Sequence, residues 1–225
     1  MTHLFFLAVV GLLYGCAVFV AAHYFEKTQA LRFGAVLMCW LAYVGMLSAL
    51  GVISDVNARP PGIVFLALPI AACVVFLIAS QRTRAVALAI PLGLLTVAQV
   101  FRLGVELGLH QLWMDGLVPR LMTYEGGNLD IYIGLSAPVA AYAWMKGWLG
   151  LRGLQLWNVA GLLALFNIMI RAVLTSPNFA NPLGAEIPNV AMGMFPFTYI
   201  AGFLAPTALA LHALALRHIS ALKHK

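Results

Sequence analysis

The sequence has few charged residues for its length. Asp, Glu, Lys and Arg make up 9% of the 225 residues, while 63% are hydrophobic. A soluble domain averages about 25% charged residues, and the mean hydropathy of this chain is +0.96. The composition therefore excludes an ordinary soluble domain and indicates a protein that crosses a lipid bilayer several times.

Cysteine is also scarce, and no cluster of basic and aromatic residues is present. The three cysteines, Cys16, Cys39 and Cys73, fall in apolar segments without a C-x-x-C pair, so we interpret them as packing residues. No basic run alternates with aromatics in the manner of a nucleic-acid groove, and we expect no nucleic-acid partner. We therefore interpret the net charge of +6 as a signal of membrane topology and not of nucleic-acid binding.

Seven apolar segments are long enough to cross a bilayer, which takes about 20 helical residues. They lie near residues 3–25, 33–53, 63–79, 85–112, 129–149, 154–175 and 196–217. The apolar runs are continuous and do not alternate, which excludes membrane strands. We therefore predict an all-α, seven-helix bundle that forms one domain over residues 1–225. Four prolines fall inside predicted helices three, four, five and seven: Pro69, Pro91, Pro138 and Pro206.

Basic residues are distributed unequally between the two sides of this predicted bundle. One side carries nine: Lys27, Arg32, Arg82, Arg84, Lys146, Arg152, Arg217, Lys223 and Lys225. The other side carries only Arg59 and Arg120. The positive-inside rule then places the N-terminus outside and the C-terminus inside. The outer loops are 54–62, 113–128 and 176–195; the last two are long, as binding loops often are.

A polar stripe on the predicted fourth helix is the first candidate for a functional site. Gln99, Arg102, Glu106 and His110 recur at three- and four-residue steps, which places them within about 80° of arc on one helix face. A charged residue at the centre of a membrane helix costs about 2.5–3.5 kcal/mol on insertion scales. Such residues usually line cavities or pathways, so we predict a function for this stripe.

Two other predicted helices bring polar groups to a similar depth. Asn167 and Arg171 lie one turn apart in the outer half of the sixth helix. The fifth helix is predicted to begin at the outer surface, with Asn128 as its N-cap and Asp130 in its first turn. We therefore expect these four residues and the stripe to converge on one site.

Two arrangements of these charges remain open. In the first, Arg102–Glu106 and Arg171–Asp130 form closed ion pairs that fix the packing of the helices. In the second, the groups line a pocket that opens to the outer aqueous side. In either case we predict that Glu106 lies within salt-bridge distance of Arg102 or Arg171, because an unpaired carboxylate is costly in hydrocarbon.

No cofactor is predicted. Glu106 and His110 have metal-ligand spacing, and Asp130 or Glu125 could complete a site, but the two nearby arginines disfavour a divalent cation. Retinal would need a lysine for its Schiff base, and residues 196–217 contain none. Haem would need paired axial histidines. Histidines near the membrane interface more often have no ligand and simply suit a position between lipid and water, so we do not predict haem. The histidines considered are His3 and His110 near the outer ends of helices, and His23, His212 and His218 near the inner ends.

Two stretches resemble a family of bacterial multi-pass membrane proteins that has no assigned activity. They are FRLGVELGLHQLWMDGLVPRLMTYEGGNLDIYIGLSAPVAAY, residues 101–142, and FPFTYIAGFLAPTALALHALALRHI, residues 195–219. The resemblance implies a location in the bacterial cytoplasmic (inner) membrane, with the lipid bilayer as partner.

The sequence leaves three functions open. The first is an outward-facing polar pocket that binds, senses or passes a small polar or amphipathic ligand, anionic in character. In it Arg102 and Arg171 hold the anionic group, and residues 176–195 cover the mouth. The second is a membrane-embedded enzyme in which Glu106 or His110 is the acid–base group and the arginines stabilise negative charge. The third is a structural subunit of a membrane complex.

Overall fold

A computed structural model describes residues 1–223, and the all-α prediction is confirmed for them. Lys225, one of the nine basic residues assigned to the inner side, lies outside the described residues. The eight helices of the described part are α1 (Thr2–Tyr24), α2 (Lys27–Ala49), α3 (Val64–Ala79), α4 (Gln81–Ala89), α5 (Leu92–Met114), α6 (Asp130–Met145), α7 (Leu151–Leu174) and α8 (Ile200–Lys223). Helix α5 contains a 3₁₀ turn at Ala98–Val100, and α8 opens with a π-helical turn at Ile200–Leu204.

Five of these helices, α1, α2, α5, α7 and α8, have 23 or 24 residues and are apolar enough to cross a membrane. Helices α3 and α4 form a sixth unit, bent by 77° between them. Helix α6 has 16 residues, or about 24 Å at 1.5 Å per residue, less than the ~30 Å hydrocarbon core. The protein therefore has several helices able to span a membrane, and the number seven stays a prediction.

The predicted fourth span, 85–112, is wrong at its beginning. Residues 81–89 form α4, which follows α3 directly, and the next helix starts only at Leu92. Pro91 causes the break: it disfavours helical dihedrals at the preceding residue, and Ile90 is extended, with φ −93° and ψ 128°. Pro91 thus lies between two helices, whereas Pro69 and Pro138 lie inside α3 and α6 as predicted.

Within residues 1–223 the bundle buries two clusters of apolar side chains and exposes many others. The larger cluster joins α1, α2, α5, α7 and α8 through residues such as Phe6, Val44 and Leu109. The smaller one lies where α5, α7 and α8 meet. Leu12 and Phe19 of α1 are more than 70% exposed, and an apolar surface of this extent suits contact with lipid. The interpretation of the cysteines as packing residues is wrong, because all three are exposed.

The long loops meet at one end of the bundle. The backbone N–H of Val190 donates to the carbonyl of Leu117 at 3.1 Å. Gly193 lies against the backbone of Ser54, whose Cα would be 3.0 Å from a Cβ built on that glycine. The loop 176–195 therefore contacts both of the other loops predicted to share the outer side, 54–62 and 113–128.

Helix α6 begins inside the bundle and not at its surface, which corrects the sequence-based expectation. A Cβ built on Gly134, in the second turn of α6, would lie 3.0 Å from the backbone nitrogen of Leu103. Leu103 is eleven residues before the end of α5 at Met114, or about 16 Å along the helix. The connecting segment must therefore descend into the bundle, and irregular backbone is tolerated at such depth only where protein encloses it. Its buried residues are Val118, Pro119, Met122, Thr123 and Asn128.

Candidate functional site

The polar stripe of α5 faces the interior of the bundle. Gln99, Arg102 and Glu106 are 0%, 2% and 1% exposed, while His110, nearer the end of the helix, is half-buried. Gln99 donates through Nε2 to the carbonyl of Ala208 on α8 at 3.0 Å. The prediction that the four residues follow one face of a helix agrees with this burial.

Arg102 is enclosed by three helices. Its Nη2 donates to Oδ1 of Asp130 in a close ion pair. Its Nη1 donates to Nε2 of His212 at 3.1 Å and to the carbonyl of Gly161 at 3.4 Å. Asp130 begins α6, Gly161 lies on α7 and His212 on α8. Arg102 therefore holds the middle of the bundle together, and its carboxylate partner is Asp130 and not Glu106 as one predicted arrangement required.

His212 continues the network to α7. Asn158 donates through Nδ2 to the carbonyl of Leu154 at 2.9 Å, so its Oδ1 is the acceptor that faces Nδ1 of His212, also at 2.9 Å. Nδ1 therefore carries the proton, and Nε2 accepts from Arg102. Both ring nitrogens of His212 are thus engaged by protein groups.

Gly161 makes this arrangement sterically possible. A Cβ at this position would lie 2.3 Å from Cε1 and 2.4 Å from Nε2 of His212. The missing side chain lets the backbone of α7 approach α8 closely, with its carbonyl turned towards Arg102. Sequence analysis missed Asn158, Gly161 and His212. The available signal was a histidine and an asparagine in the middle of apolar runs, although His212 had been placed near an inner helix end.

Glu106 has a neutral partner. Asn128 donates through Nδ2 to Oε1 of Glu106 at 2.5 Å and accepts through Oδ1 from the backbone N–H of Asp130 at 3.1 Å. Among the described residues no arginine lies within 4.0 Å of the Glu106 carboxylate, so the predicted salt bridge is wrong. Asn128 does perform the predicted capping of α6, although the residue at the N-cap position is Leu129.

Four buried polar atoms of the stripe have no hydrogen-bond partner in the described part of the chain. They are Oε1 of Gln99, Nε of Arg102, Oε2 of Glu106 and Nδ1 of His110. Leaving such a group unpaired costs about 1–3 kcal/mol, and buried polar groups of this kind commonly bind ordered water. The interior of the network is thus polar and not fully satisfied by the protein itself.

Arg171 has a different environment, nearer the end of the bundle where the loops meet. Its Nη1 donates to the carbonyls of Gly126 and Leu121 at 2.5 and 3.0 Å, and its Nε donates to Oδ1 of Asn167 at 3.0 Å. Asn167 in turn donates to the carbonyl of Gly127 at 3.2 Å. No carboxylate in residues 1–223 pairs with Arg171, so the alternative Arg171–Asp130 pair is also wrong.

Gly127 explains how Arg171 reaches the loop. The residue has φ +94°, a left-handed conformation that favours glycine. A Cβ there would lie 3.2 Å from Nη2 of Arg171. The turn at 126–128 therefore separates two groups of side chains. Arg171 and Asn167 bind its outer carbonyls, while the side chain of Asn128 points to the buried network.

A cleft of about 310 Å³ opens beside Arg171. Its lining consists of Leu121, Asn167, Ile170, Arg171 and Leu183. Leu183 comes from the loop 176–195 that was predicted to cover a pocket mouth. Arg102 is enclosed at 2% exposure and does not line this cleft, so the predicted single site divides into an open cleft at Arg171 and a buried network around Arg102.

His110 belongs to neither group. Its ring stacks on Tyr124, with the centroids 5.0 Å apart, and its Nδ1 lies 3.7 Å from Oε1 of Glu125. The two residues proposed for acid–base chemistry, Glu106 and His110, are thus each engaged by a different loop residue. Within residues 1–223, no three His, Cys, Asp or Glu side chains are arranged to hold a metal ion.

Comparison with known proteins identifies a family. A family model described as a domain of unknown function, DUF8737, matches residues 61–220. The match includes all eight predicted site residues and both stretches that carry the resemblance to bacterial membrane proteins. No curated protein and no solved structure matches the chain. Because the matched region covers well over half of the sequence, the chain belongs to the DUF8737 family.

Proposed function

We propose that this protein binds a small amphipathic anion in the cleft beside Arg171, from the outer side of a bacterial cytoplasmic membrane. In this proposal the chain crosses the membrane seven times, with α6 as a short span and α3 and α4 together as one. The N-terminus lies outside and the C-terminus inside. The nine-to-two distribution of basic residues supports this orientation, and the contacts of loop 176–195 with loops 54–62 and 113–128 support their common side.

The observation that carries the proposal is that Arg171 lies at the cleft without a carboxylate partner in residues 1–223. Arg171 uses Nη1 and Nε for hydrogen bonds to the protein, while its Nη2 makes none to the described residues. The positive charge is thus fixed in place but not neutralised by an acid of the described chain. The free Nη2 can donate a charge-assisted hydrogen bond, which favours an anionic acceptor such as a carboxylate or phosphate.

The other lining residues indicate the remainder of the ligand. Leu121, Ile170 and Leu183 are apolar, and Asn167 adds an amide beside the guanidinium. Small-molecule sites typically combine an apolar wall with a few oriented polar groups. We therefore infer a ligand with one anionic end and an apolar body.

The buried network has a supporting role in this proposal. Arg102 and Asp130 balance each other's charge, and Asn128 links them to the turn that Arg171 binds. The network thus positions the inner side of the turn whose outer side faces the cleft. The enzymatic alternative has less support, because Glu106 is 1% exposed and holds Asn128, away from the cleft lining.

Binding of dodecanoate to the purified full chain tests the proposal. We expect the protein in neutral detergent to bind dodecanoate in preference to its neutral methyl ester, as measured by native mass spectrometry. Arg171→Gln should weaken dodecanoate binding at least about tenfold, because a charge-assisted hydrogen bond is worth about 1.5–3 kcal/mol. The matched control is Arg59→Gln, which removes one positive charge from the same end of the bundle, where Arg59 bonds only to nearby carbonyls.

A second variant keeps the test interpretable if Arg171→Gln fails to fold. Ile170→Trp fills the cleft from a lining position that is 56% exposed and leaves the hydrogen bonds of Arg171 unchanged. We expect it to lose dodecanoate binding while keeping the thermal stability of the wild type. Equal binding by the wild type, Arg171→Gln and Ile170→Trp would show that the cleft is not the site.

A further inference from the structure

A second cleft lies at the opposite end of the bundle. It has a volume of about 310 Å³ and opens between the bend that joins α3 to α4 and the last turns of α8. Its polar lining groups are two guanidinium groups, an amide and a hydroxyl, all of which can donate hydrogen bonds. No acidic residue is among its lining residues, which are Ile78, Gln81, Arg84, Arg217, Ser220 and Ala221.

Arg217 is fixed at the back of this cleft. Its Nη1 donates to the carbonyls of Leu77 and Ile78, in the last turn of α3, and to Oγ1 of Thr83 at 3.0 Å. These carbonyls are at a helix C-terminus, where the helix dipole attracts a cation. The hydrogen bonds use one nitrogen of the guanidinium, and the other two make none to the described residues. The structure thus holds a positive charge in place and leaves donors free on the cleft side.

Arg84 supplies the second charge. It lies on α4 with an exposed side chain, and it forms no ion pair within residues 1–223. Two guanidinium groups that share one small cleft without an acid create a local excess of positive charge. An anion with several acceptor oxygens relieves that excess, and a phosphate group matches the forked donors of arginine.

We propose that this cleft binds a phosphate group, either in the headgroup of an anionic phospholipid or as free phosphate. The surroundings favour the headgroup. The apolar side chains Val75, Phe76 and Ile78 of α3 are all more than half exposed next to the cleft, a surface suited to acyl chains. The cleft also lies at the end that carries most of the basic residues, where anionic lipids bind basic pockets between membrane helices.

Lipid binding by single-charge variants tests this site. The full chain is placed in nanodiscs of phosphatidylglycerol and phosphatidylcholine, and the retained lipids are counted by native mass spectrometry. We expect selective retention of phosphatidylglycerol by the wild type and retention about fivefold weaker in Arg84→Gln, which corresponds to about 1 kcal/mol per basic residue at an anionic surface. Arg84→Gln is preferred to a change at Arg217, because Arg217 also holds the α3–α4 bend.

Arg82→Gln is the matched control. Arg82 lies two residues away on α4, is also exposed and does not line the cleft, so the Arg82→Gln variant should retain the lipid like the wild type. Arg171→Gln should also retain it, which separates this site from the cleft at the other end. A separate arm adds inorganic phosphate to protein in neutral detergent. Thermal stabilisation that Arg84→Gln loses, without selectivity between the two lipids, would identify free phosphate as the ligand.

Two results would overturn the proposal. One is the absence of both phosphatidylglycerol selectivity and stabilisation by phosphate. The other is an equal loss of binding in Arg82→Gln and Arg84→Gln, which would mean that general surface charge and not the cleft attracts the anion.

Discussion

Arg102 forms its ion pair with Asp130, 28 residues further along the chain, and not with Glu106, one helical turn away. Two features of helix geometry explain the choice. Side chains on a helix point back towards its N-terminus, so Arg102 extends away from Glu106 and towards Gly161 and His212. In addition, an acid four residues after a base is the less favourable order for a pair on one helix.

Removing Arg102 alone should be much worse than replacing the whole ion pair. Arg102→Met leaves the Asp130 carboxylate buried without a partner, and we expect a loss of about 3–5 kcal/mol in the free energy of unfolding. The double variant Arg102→Met, Asp130→Leu should recover a large part of this loss. Thermal unfolding in detergent, arranged as a double-mutant cycle, measures the coupling. Additive effects of the two single changes would contradict the pairing.

Glu106 should tolerate Gln but not Ala. In Glu106→Gln the amide oxygen can still accept the hydrogen bond from Asn128, so we expect the free energy of unfolding to change by less than about 1 kcal/mol. Glu106→Ala removes the acceptor and leaves a cavity, and the expected loss is about 2–4 kcal/mol. Urea or thermal unfolding of both variants provides the comparison. Equal stabilities for Gln and Ala would show that the contact with Asn128 contributes little.

Gly161→Ala should destabilise the bundle. The new Cβ would lie 2.3 Å from the ring of His212, and this ring cannot move without breaking its bonds to Arg102 or Asn158. We expect a loss of about 1–3 kcal/mol, typical of overpacking. The control is Gly15→Ala on α1, where the added Cβ meets nothing within 4 Å and should stabilise the helix by up to about 1 kcal/mol. The melting temperatures should therefore shift in opposite directions.

The predicted orientation can be tested by cysteine labelling in intact cells. Single cysteines at Asn181, Arg84 and Lys146 would be introduced after Cys16, Cys39 and Cys73 have been replaced by alanine. A reagent that cannot cross the membrane should label position 181 and not positions 84 or 146, because the positive-inside rule places the last two inside. The reverse pattern would invert the topology and move the cleft at Arg171 to the cytoplasmic side.

How far the sequence could predict the site depends on whether a residue's partner is local. Gln99, Arg102 and Glu106 were recognisable because one helix determines their common face, and that face is buried as expected. His212 and Asn158 were not recognisable in the same way. These two hydrogen-bonded residues are 54 positions apart in the sequence. Nothing in the sequence next to either residue indicates which helix it will contact.

The sequence by itself determined the helical class, several apolar spans and the stripe on α5, because hydropathy and helical period are properties of short segments. Only the tertiary structure decided that α6 begins deep in the bundle, so that Asp130 meets Arg102. The same packing encloses Arg102 and leaves Arg171 at an open cleft with no acidic partner among residues 1–223. Which charges pair is set by the close approach of helix backbones at positions such as Gly161, and such distances depend on all the helices together.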